Sequence, residues 1–375
     1  MAELEKKGII LIDKPREMTS FGVVSRLRRL VGVKKIGHTG TLDPFAEGLL
    51  AVCVGKATSV VQFMDTFDKT YQVRVVFGSA TDTMDLTGSV IAHHDFVPGE
   101  LENMRSLDYA PLRQAVSELV GPSEQMPPMY SAVKIDGQPL YALARKGQTI
   151  ERTPRPIIVY QATIDAVDCR TETEPAGPFL AVDLTIAVSK GTYIRVIADE
   201  LGRRLGYFGH AQRLVRTQVG PFALSQALQL DWLSDRFDEL ASGLPGPGGP
   251  DMNLQDRRYV QDRLWQLLIE QDLVHELGEA LVQFPVLTLD DRQARQVIQG
   301  QKLFLTAEQV FTRLTPGAVP FDLQSADLAS MRLTLHNTAG LIGVGHFLVD
   351  HDMAALTYRL VTERIFLNHE CLLPE

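Results

Sequence analysis

Short apolar runs separated by turn residues dominate the first two thirds of the chain. Three of these runs predict buried β-strands: GIILI at residues 8–12, LLAVCVG at 49–55 and FLAVDLTIAVS at 179–189. In TYQVRVVFG every second residue is apolar or aromatic, which predicts a half-buried strand with one inward face: Tyr71, Val73, Val75 and Phe77. The strands therefore begin early in the chain and are not confined to one segment.

Helical periodicity alternates with these strands. TSFGVVSRLRRLVG predicts a helix with Thr19 or Ser20 as its N-cap and Gly32 near its end, and its arginines lie outside the apolar stripe. Three further segments also predict helices: PLRQAVSELVG, PLYALARKG and YIRVIADELGRRLG. Because helices and strands mix without a regular βαβ period, we predict an α+β protein with a mixed, largely antiparallel sheet and flanking helices.

A Gly- and Pro-rich segment, SGLPGPGGPDMN at residues 242–253, predicts a flexible linker. It is followed by a helical pattern, YVQDRLWQLLIEQDLVHELGEAL, and from about Phe284 by short strand patterns. We therefore predict a first domain over residues 1–240, a linker and helical connection over 241–283, and a small β-barrel-like domain over 284–375.

Composition narrows the class of protein. The 375 residues are 45% hydrophobic and 22% charged, as in soluble globular proteins. No apolar run approaches the roughly 20 residues that span a bilayer, and the N-terminus does not resemble a signal peptide. The three cysteines, Cys53, Cys169 and Cys371, are widely separated, which favours a reducing cytoplasm and argues against a structural zinc site or a disulfide framework.

The net charge of −9 at first argues against a nucleic-acid partner, but the charge is unevenly distributed. Residues 226–375 carry 11 Lys and Arg against 21 Asp and Glu, whereas residues 1–225 carry 26 against 25. Two basic groups stand out, and either could bind phosphates or form a solvated helix face: Arg26, Arg28, Arg29, Lys34 and Lys35, and Arg203, Arg204, Arg213 and Arg216.

One acidic residue, Asp43, lies in a segment that is rich in turn-forming residues. In GHTGTLDPFAEGLL, residues 37–50, Asp43 follows two glycines and precedes a proline and an apolar run. Such a fixed loop is suited to chemistry, although an Asp-Pro pair can equally cap a turn. GKATS lacks the spacing of a phosphate loop, and no GxSxG or HExxH occurs, so hydrolase and dinucleotide-binding motifs have no support.

Several polar stretches, taken in order, resemble one family. DKP, GHTGTLDPFAEGLL, KTYQ, TDTMD, MPPMYSAVKIDGQPLYALARKG and SKGTYIRV are similar to motifs of the bacterial tRNA pseudouridine-55 synthases of the TruB type. The similarity covers roughly residues 8–222, and the last third resembles only loosely the PUA-type domain that follows this catalytic domain. The resemblance implies the pseudouridine synthase fold.

The resemblance also implies roles for particular residues. Asp43 matches the catalytic aspartate, Arg195 the arginine that pairs with it, and Tyr71 the active-site tyrosine that stacks on the uracil. The remaining matches are substrate-binding or supporting positions: Lys14 beside the catalytic loop, His38 in contact with the T loop, Asp85 beside a neighbouring extruded base, and Tyr193 and Leu214 in the base pocket.

The implied enzyme isomerises uridine-55 in the T loop of tRNA, as a monomer, with no cofactor, metal or membrane. Asp43 would then act either on the sugar C1′ or in an elimination that begins at the ribose. Two other readings stay open: a tRNA-binding or folding chaperone with dispensable catalysis, and a guide-RNA-dependent synthase. The acidic last third departs from the basic tail of the family, so we expect it to be structural or to bind something other than tRNA phosphates.

Overall fold

The computed structural model describes residues 5–131, 133–135, 137–148, 150–171, 173–174, 177–244, 252–317, 331–350 and 357–366. Most of the predicted Gly- and Pro-rich linker lies outside these residues, and so does Cys371. Within these described ranges, no helix is both long and apolar enough to cross a membrane.

Up to residue 244 the chain forms fourteen described strands and seven described α-helices, besides two short 3₁₀-helices at Gly55–Val60 and Leu224–Gln226. The strands are β1 (Gly8–Lys14), β2 (Ile36–His38), β3 (Glu47–Val54), β4 (Lys69–Phe77), β5 (Ser79–Thr81), β6 (Val90–His93), β7 (Gly121–Gln125), β8 (Lys134–Ile135), β9 (Gln138–Pro139), β10 (Arg155–Arg170), β11 (Phe179–Val188), β12 (Gly209–Val219), β13 (Phe222–Ala223) and β14 (Leu228–Gln229). The helices are α1 (Ser20–Val31), α2 (Val61–Met64), α3 (Glu100–Ser106), α4 (Ala110–Ser117), α5 (Leu140–Ala144), α6 (Ile194–Leu205) and α7 (Leu230–Ser242).

The rest of the described chain adds three helices and six strands. The helices are α8 (Leu254–Glu270), α9 (Asp291–Ile298) and α10 (Ala307–Arg313). The strands are β15 (Val286–Thr288), β16 (Leu303–Thr306), β17 (Leu314–Thr315), β18 (Arg332–Asn337), β19 (Gly340–Asp350) and β20 (Thr357–Ile365). The long helical pattern after the linker therefore ends at Glu270, earlier than predicted.

Ten strands form one sheet in the order β14-β1-β3-β12-β4-β11-β10-β7, with β2 beside β3 and β13 beside β12. All pairs are antiparallel except β1 with β14 and β3 with β12. Six strands form a second sheet, β16-β20-β19-β18-β15-β17, which curls into a half-barrel. The predicted fold class is confirmed, whereas the predicted domain boundaries stay a prediction.

Residues 9–12 of β1 and 49–54 of β3 are apolar without alternation, which is typical of strands buried on both faces. Alternate residues such as Ile10 and Val52 pack against α1, α7 and α8, where Trp265 is fully buried. The other residues, including Ile9, pack against Phe63 and against the half-barrel. Helix α8 and the C-terminal sheet thus complete the core around the first strand of the chain.

Candidate active site

The loop between β2 and β3 carries Asp43 and is fastened at several points. Leu42 donates its backbone N–H to Ser20 Oγ over 2.9 Å, and the same hydroxyl donates to the Leu42 carbonyl over 3.2 Å. The buried Arg216 donates to the carbonyls of Gly40 and Leu49, over 3.0 and 2.8 Å. Because both ends are held by the body of the protein, the loop presents Asp43 in one position.

Lys14, at the end of β1, also holds the Asp43 loop in place. Its side chain has no exposed surface, and its ammonium donates to the carbonyls of Pro15, Met18 and Pro44, over 2.9, 2.6 and 3.3 Å. Burial lowers the pKa of Lys14 to about 8, and the nearby carboxylates of Asp43 and Glu47 act against that decrease. The lysine therefore joins the first strand to the residue that follows Asp43.

Arg195, in the first turn of α6, contacts Asp43 through two nitrogens. Its Nε donates to Asp43 Oδ2 over 2.8 Å and its Nη2 to Asp43 Oδ1 over 3.3 Å. The guanidinium also donates to the carbonyls of Thr83 and Tyr130, over 2.7 and 2.8 Å. Only 3% of the arginine side chain is exposed, whereas 36% of the Asp43 side chain is. The pair thus has an enclosed cation and an accessible carboxylate.

Asp85 is a second carboxylate on the same arginine. Its Oδ2 lies 3.5 Å from Arg195 Nη1, and its Oδ1 accepts from the Thr83 hydroxyl and from the backbone and hydroxyl of Thr87. The residue is 4% exposed. The structure therefore places Asp85 behind the ion pair of Asp43 and Arg195.

The surroundings act on Asp43 in opposite directions. Burial raises the pKa of Asp43 above its usual range; Arg195 and Lys14 lower it, and Asp85 raises it further. The net direction is upward, which makes this carboxyl a better proton acceptor than an ordinary aspartate. A partly accessible carboxylate of this kind can act as a nucleophile or as a general base.

Tyr71 and Leu214 lie on neighbouring strands beside the loop. Tyr71 on β4 pairs in register with residue 216 on β12, and Leu214 pairs with Val73. Both side chains belong to the same apolar cluster as Leu42 and Phe45 of the loop. The sheet therefore supplies an apolar wall next to the Asp43 loop.

The sequence of the chain is also similar to that of known proteins. Residues 28–194 match the TruB family pseudouridylate synthase (N terminal domain). The tRNA pseudouridine synthase B of Bordetella avium (strain 197N) is 42% identical over 235 residues, which cover 63% of this chain and 90% of that protein. The chain belongs to the TruB family. A tRNA pseudouridine synthase B from Geobacillus thermodenitrificans (strain NG80-2) is 40% identical over 300 residues, 80% of this chain and 86% of that one.

Solved structures share the fold of this TruB-family chain at low sequence identity. A chain from the crystal structure of a Cbf5-Nop10-Gar1 complex has a TM-score of 0.64 and 21% identity, and the match covers 97% of this chain and 86% of that chain. A chain from the archaeal box H/ACA sRNP Nop10-Cbf5 complex has a TM-score of 0.61 and 19% identity, covering 98% and 88%. These similarities concern the fold alone.

Tyr193 immediately precedes α6 in the TruB-family site. Its backbone N–H donates to Gln125 Oε1 over 2.7 Å, and Gln125 Nε2 donates to the Tyr193 carbonyl over 3.1 Å. The buried glutamine therefore fixes the backbone two residues before Arg195. Sequence reasoning missed Gln125, because a single glutamine 68 residues away from its partner leaves no pattern.

His38 lies at the end of β2, at the opposite end of the loop from Asp43. It is half-buried, and its Nδ1 has no hydrogen-bond partner among the described residues. Burial lowers the pKa of His38, and the nearby Arg216 lowers it as well. The imidazole is thus favoured in its neutral form, which suits packing better than phosphate binding.

The two predicted basic groups differ in the structure. In the second group, Arg203 pairs with Asp199, Arg204 with Glu200 and Glu118, and Arg213 with Glu47. Arg216 belongs to that group by sequence, but it is only 1% exposed and braces the Asp43 loop. Local pairing therefore weakens the second group as a phosphate-binding surface. The i,i+4 spacing of Asp199 with Arg203 and of Glu200 with Arg204 could have shown two of these pairs, whereas Glu118 and Glu47 are distant in sequence.

Metal ligands do not cluster in this site. Where the structure describes the chain, no three His, Cys, Asp or Glu side chains are placed to hold a metal ion. The polar groups around Asp43 are instead joined to Arg195 and Lys14. The chemistry available here is that of a carboxylate held by cations.

Proposed function

We propose that the chain isomerises uridine to pseudouridine at position 55 in the T loop of tRNA, as a monomer and without a guide RNA. Membership of the TruB family supports the reaction, and similar proteins at 40–42% identity are named tRNA pseudouridine synthase B. The choice of the T loop rests on the order of the sequence motifs. The reaction leaves the atoms of the nucleoside unchanged, so the proposal includes no redox or group-transfer cofactor.

The observation that carries the proposal is the ion pair of Asp43 and Arg195. An enclosed guanidinium orients a carboxylate that is itself 36% exposed. In the proposed mechanism, Asp43 acts at the ribose to break the bond between N1 and C1′, either by direct attack or by elimination. Arg195 favours the ionised form of Asp43. The uracil then rotates, and C5 bonds to C1′ as the bond to Asp43 breaks or as the double bond left by elimination takes up a proton; the proton on C5 leaves, and N1 gains one.

The uridine has to leave its stack in the RNA before this chemistry, which costs a few kcal/mol. We propose that Tyr71, Leu214 and Tyr193 receive the extruded base, because Tyr71 and Leu214 share an apolar cluster beside the loop and Tyr193 is the N-cap of α6. His38 is proposed to contact the T loop, and Asp85 a neighbouring base. Lys14 is proposed to support the loop.

The two rival functions have less support. A chaperone with dispensable catalysis would not require the enclosed Asp43–Arg195 pair. A guide-dependent synthase is suggested only by fold similarity to chains in ribonucleoprotein complexes at 19–21% identity. The relatives at about twice that identity are all named as tRNA enzymes.

The test is to incubate the purified chain with an unmodified tRNA transcript and map pseudouridine at nucleotide resolution. We expect one modified uridine in the T loop. Asp43→Asn should lower the single-turnover rate by more than about a thousandfold, or about 4 kcal/mol in the barrier, while tRNA binding persists. Asp95→Asn, at a side chain that is 96% exposed, is the matched control.

Three outcomes would count against parts of the proposal. A rate for Asp43→Asn within about tenfold of the wild type would remove the catalytic role of Asp43. Pseudouridine at another tRNA position would contradict the T-loop assignment but would still support the isomerisation of uridine. Modification that requires an added guide RNA would favour the ribonucleoprotein reading.

A further inference from the structure

A basic cleft lies between the C-terminal end of α1 and the first two turns of α8. It encloses about 230 Å³. Arg28 and Lys34 line it from the α1 side, and Arg257 and Arg258 line it from α8. The two α8 arginines belong to the acidic last third of the chain, so sequence spacing gave no reason to group them with α1.

Contacts between α1 and α8 hold the two walls of the cleft in a fixed position relative to each other. Gln261 on α8 donates to the Arg29 carbonyl over 2.8 Å, which satisfies one of the last carbonyls of α1. Gly32 has a φ of +73°, which favours glycine, and a Cβ atom there would lie 2.3 Å from Gln261 Oε1 and displace that side chain. Below this contact, Val260 and Trp265 are fully buried in the core.

The charges of the cleft are concentrated, and none of the described residues that line it carries a carboxylate. Within the described ranges, no ion pair forms at 4 Å or less to Arg28, Lys34 or Arg258. By contrast, Arg26 and Lys6 just outside the cleft each pair with an aspartate.

Arg28 is also held in place, because its Nε donates to the Lys34 carbonyl over 3.0 Å. The nearest acids of α8 in sequence are engaged elsewhere: Asp256 accepts from the Asn253 side chain and Asp262 pairs with Lys6. The cationic side chains of the two walls therefore line a shared space, where the described part of the chain places no acidic side chain.

We propose that this cleft binds a phosphate group of the RNA backbone, outside the loop that enters the active site. The inference rests on the proposed function for its RNA. Guanidinium groups match phosphate oxygens in charge and geometry, and several of them at one point favour a phosphate over a neutral ligand. The acidic last third of the chain then contributes to RNA binding through one basic helix.

The position of the cleft agrees with such a role. The 12 residues of α1 span about 18 Å. Ser20 begins the helix and holds the Asp43 loop, and the opposite end of the helix forms the cleft. An RNA with one nucleotide at Asp43 can therefore place a backbone phosphate of an adjoining stem one helix length away.

The test uses the full chain with Lys34→Ala and Arg258→Ala combined, one exposed side chain from each wall of the cleft. The matched control combines Arg263→Ala and Lys302→Ala, which removes the same charge from exposed side chains outside the cleft. Dissociation constants for unmodified tRNA transcript and for an isolated T-arm hairpin are measured across a series of salt concentrations. The single-turnover rate at saturating tRNA is measured in parallel.

We expect the cleft variant to bind whole tRNA about tenfold more weakly near 0.1 M salt, with a log–log salt slope smaller by about 1 to 2. The control should keep the wild-type slope, and both variants should keep the wild-type rate at saturation. Equal slopes for the cleft variant and the wild type would overturn the proposal. An equal loss of tRNA affinity in both variants would also overturn it, because the overall electrostatic field of the protein, and not the cleft, would then explain the effect.

A measurement with inorganic phosphate distinguishes a cleft that binds the RNA backbone from a cleft that binds a free anion. If phosphate raises the unfolding temperature of the wild type but not of the cleft variant, and the tRNA slope is unchanged, the cleft takes a free anion and the RNA proposal fails. Failure of the proposed function is seen separately, as absence of pseudouridine from wild-type reactions. The binding slopes would still decide whether the cleft holds RNA.

Discussion

Lys14 is a buried cation whose hydrogen-bond partners are all backbone carbonyls. Two of these carbonyls belong to the turn after β1, and the third belongs to Pro44 in the catalytic loop. Hydrogen bonds from a charged group are stronger than neutral ones, and an unpaired buried carbonyl is costly. The lysine therefore stabilises the position of Asp43 and the turn together.

Lys14→Met should weaken both stability and catalysis. Methionine fills a similar volume but leaves the carbonyls unpaired, so we expect the free energy of unfolding to fall by about 2 to 4 kcal/mol. The single-turnover rate should fall as well, because Pro44 is then released. The matched control is Lys6→Met, since Lys6 is also largely buried and donates to the Val31 carbonyl, away from the loop. An equal rate in the two variants would contradict the supporting role of Lys14.

The pH dependence of the rate tests the surroundings of Asp43. Burial raises the pKa of Asp43, and its active form is ionised, so activity should be lost with falling pH at a midpoint above the usual value near 3.9. Asp85→Asn removes a neighbouring negative charge and should lower that midpoint. The measurement is the single-turnover rate against pH for both proteins. A midpoint that rises or stays unchanged in Asp85→Asn would contradict the shared-arginine arrangement.

Single residues also show how far sequence reasoning reaches. Asp43 could be proposed because a dense turn motif surrounds it and because that motif resembles a family. The geometry of Asp85 could not be predicted, since Arg195 is about 110 residues away in the chain and joins the two carboxylates only in space. Arg216 lies near other arginines in sequence, but its burial depends on strands β3 and β12 lying side by side.

At the scale of elements, the contact between β3 and β12 joins the two halves of the large sheet. The pairing is parallel and short, and it includes Gly48 opposite Arg216. Gly48 has a φ of +99°, and a Cβ atom there would lie 2.4 Å from the Arg216 carbonyl oxygen. The two backbones can approach only because residue 48 has no side chain.

Gly48→Ala should weaken the pairing of β3 with β12. We expect a loss of about 3 kcal/mol or more in the free energy of unfolding, from backbone strain and from the close contact together. Gly121→Ala is the matched control, because Gly121 has a φ of +117° but nothing within 4 Å of the added atom. Denaturant unfolding of both variants gives the comparison. Equal losses of unfolding free energy would mean that the positive φ alone, and not the close contact of β3 with β12, explains the effect.

Elements with strong local signals could be predicted from the sequence. Helix α1 runs from Ser20 to Val31, with Thr19 as N-cap and Gly32 as C-cap, as the sequence predicts. The helical pattern continues past Glu270, but His275 instead pairs with Ile9 of β1 through two backbone hydrogen bonds. Such a tertiary pairing overrides local helical periodicity and leaves no mark in it.

At the scale of the whole molecule, α8 belongs to the core that surrounds β1, although it follows the predicted linker. Trp265→Ala should therefore destabilise the catalytic part of the chain, by about 3 to 5 kcal/mol. Trp265→Phe should lose much less, because it keeps an aromatic ring and removes a buried N–H that has no partner among the described residues. The measurement is denaturant unfolding followed both by spectroscopy and by loss of activity. A transition that leaves activity intact would contradict this coupling.

Strand order also sets the timing of folding during synthesis. Strand β12 lies between β3 and β4, yet the ribosome makes it about 130 residues after β4 ends, a delay of roughly 7 to 26 s at 5–20 residues per second. Ribosome-bound chains stalled before residue 209 should thus remain open to protease over β1 to β4, whereas chains that include α8 should resist. Protection in the shorter chains would contradict this order.

The first strand to leave the ribosome is consequently among the last to be completed, since β1 waits for β14 and for His275. Its apolar residues stay only partly covered until α8 and His275 have been made. A newly made molecule can therefore bind a chaperone through β1 well before it can hold a uridine.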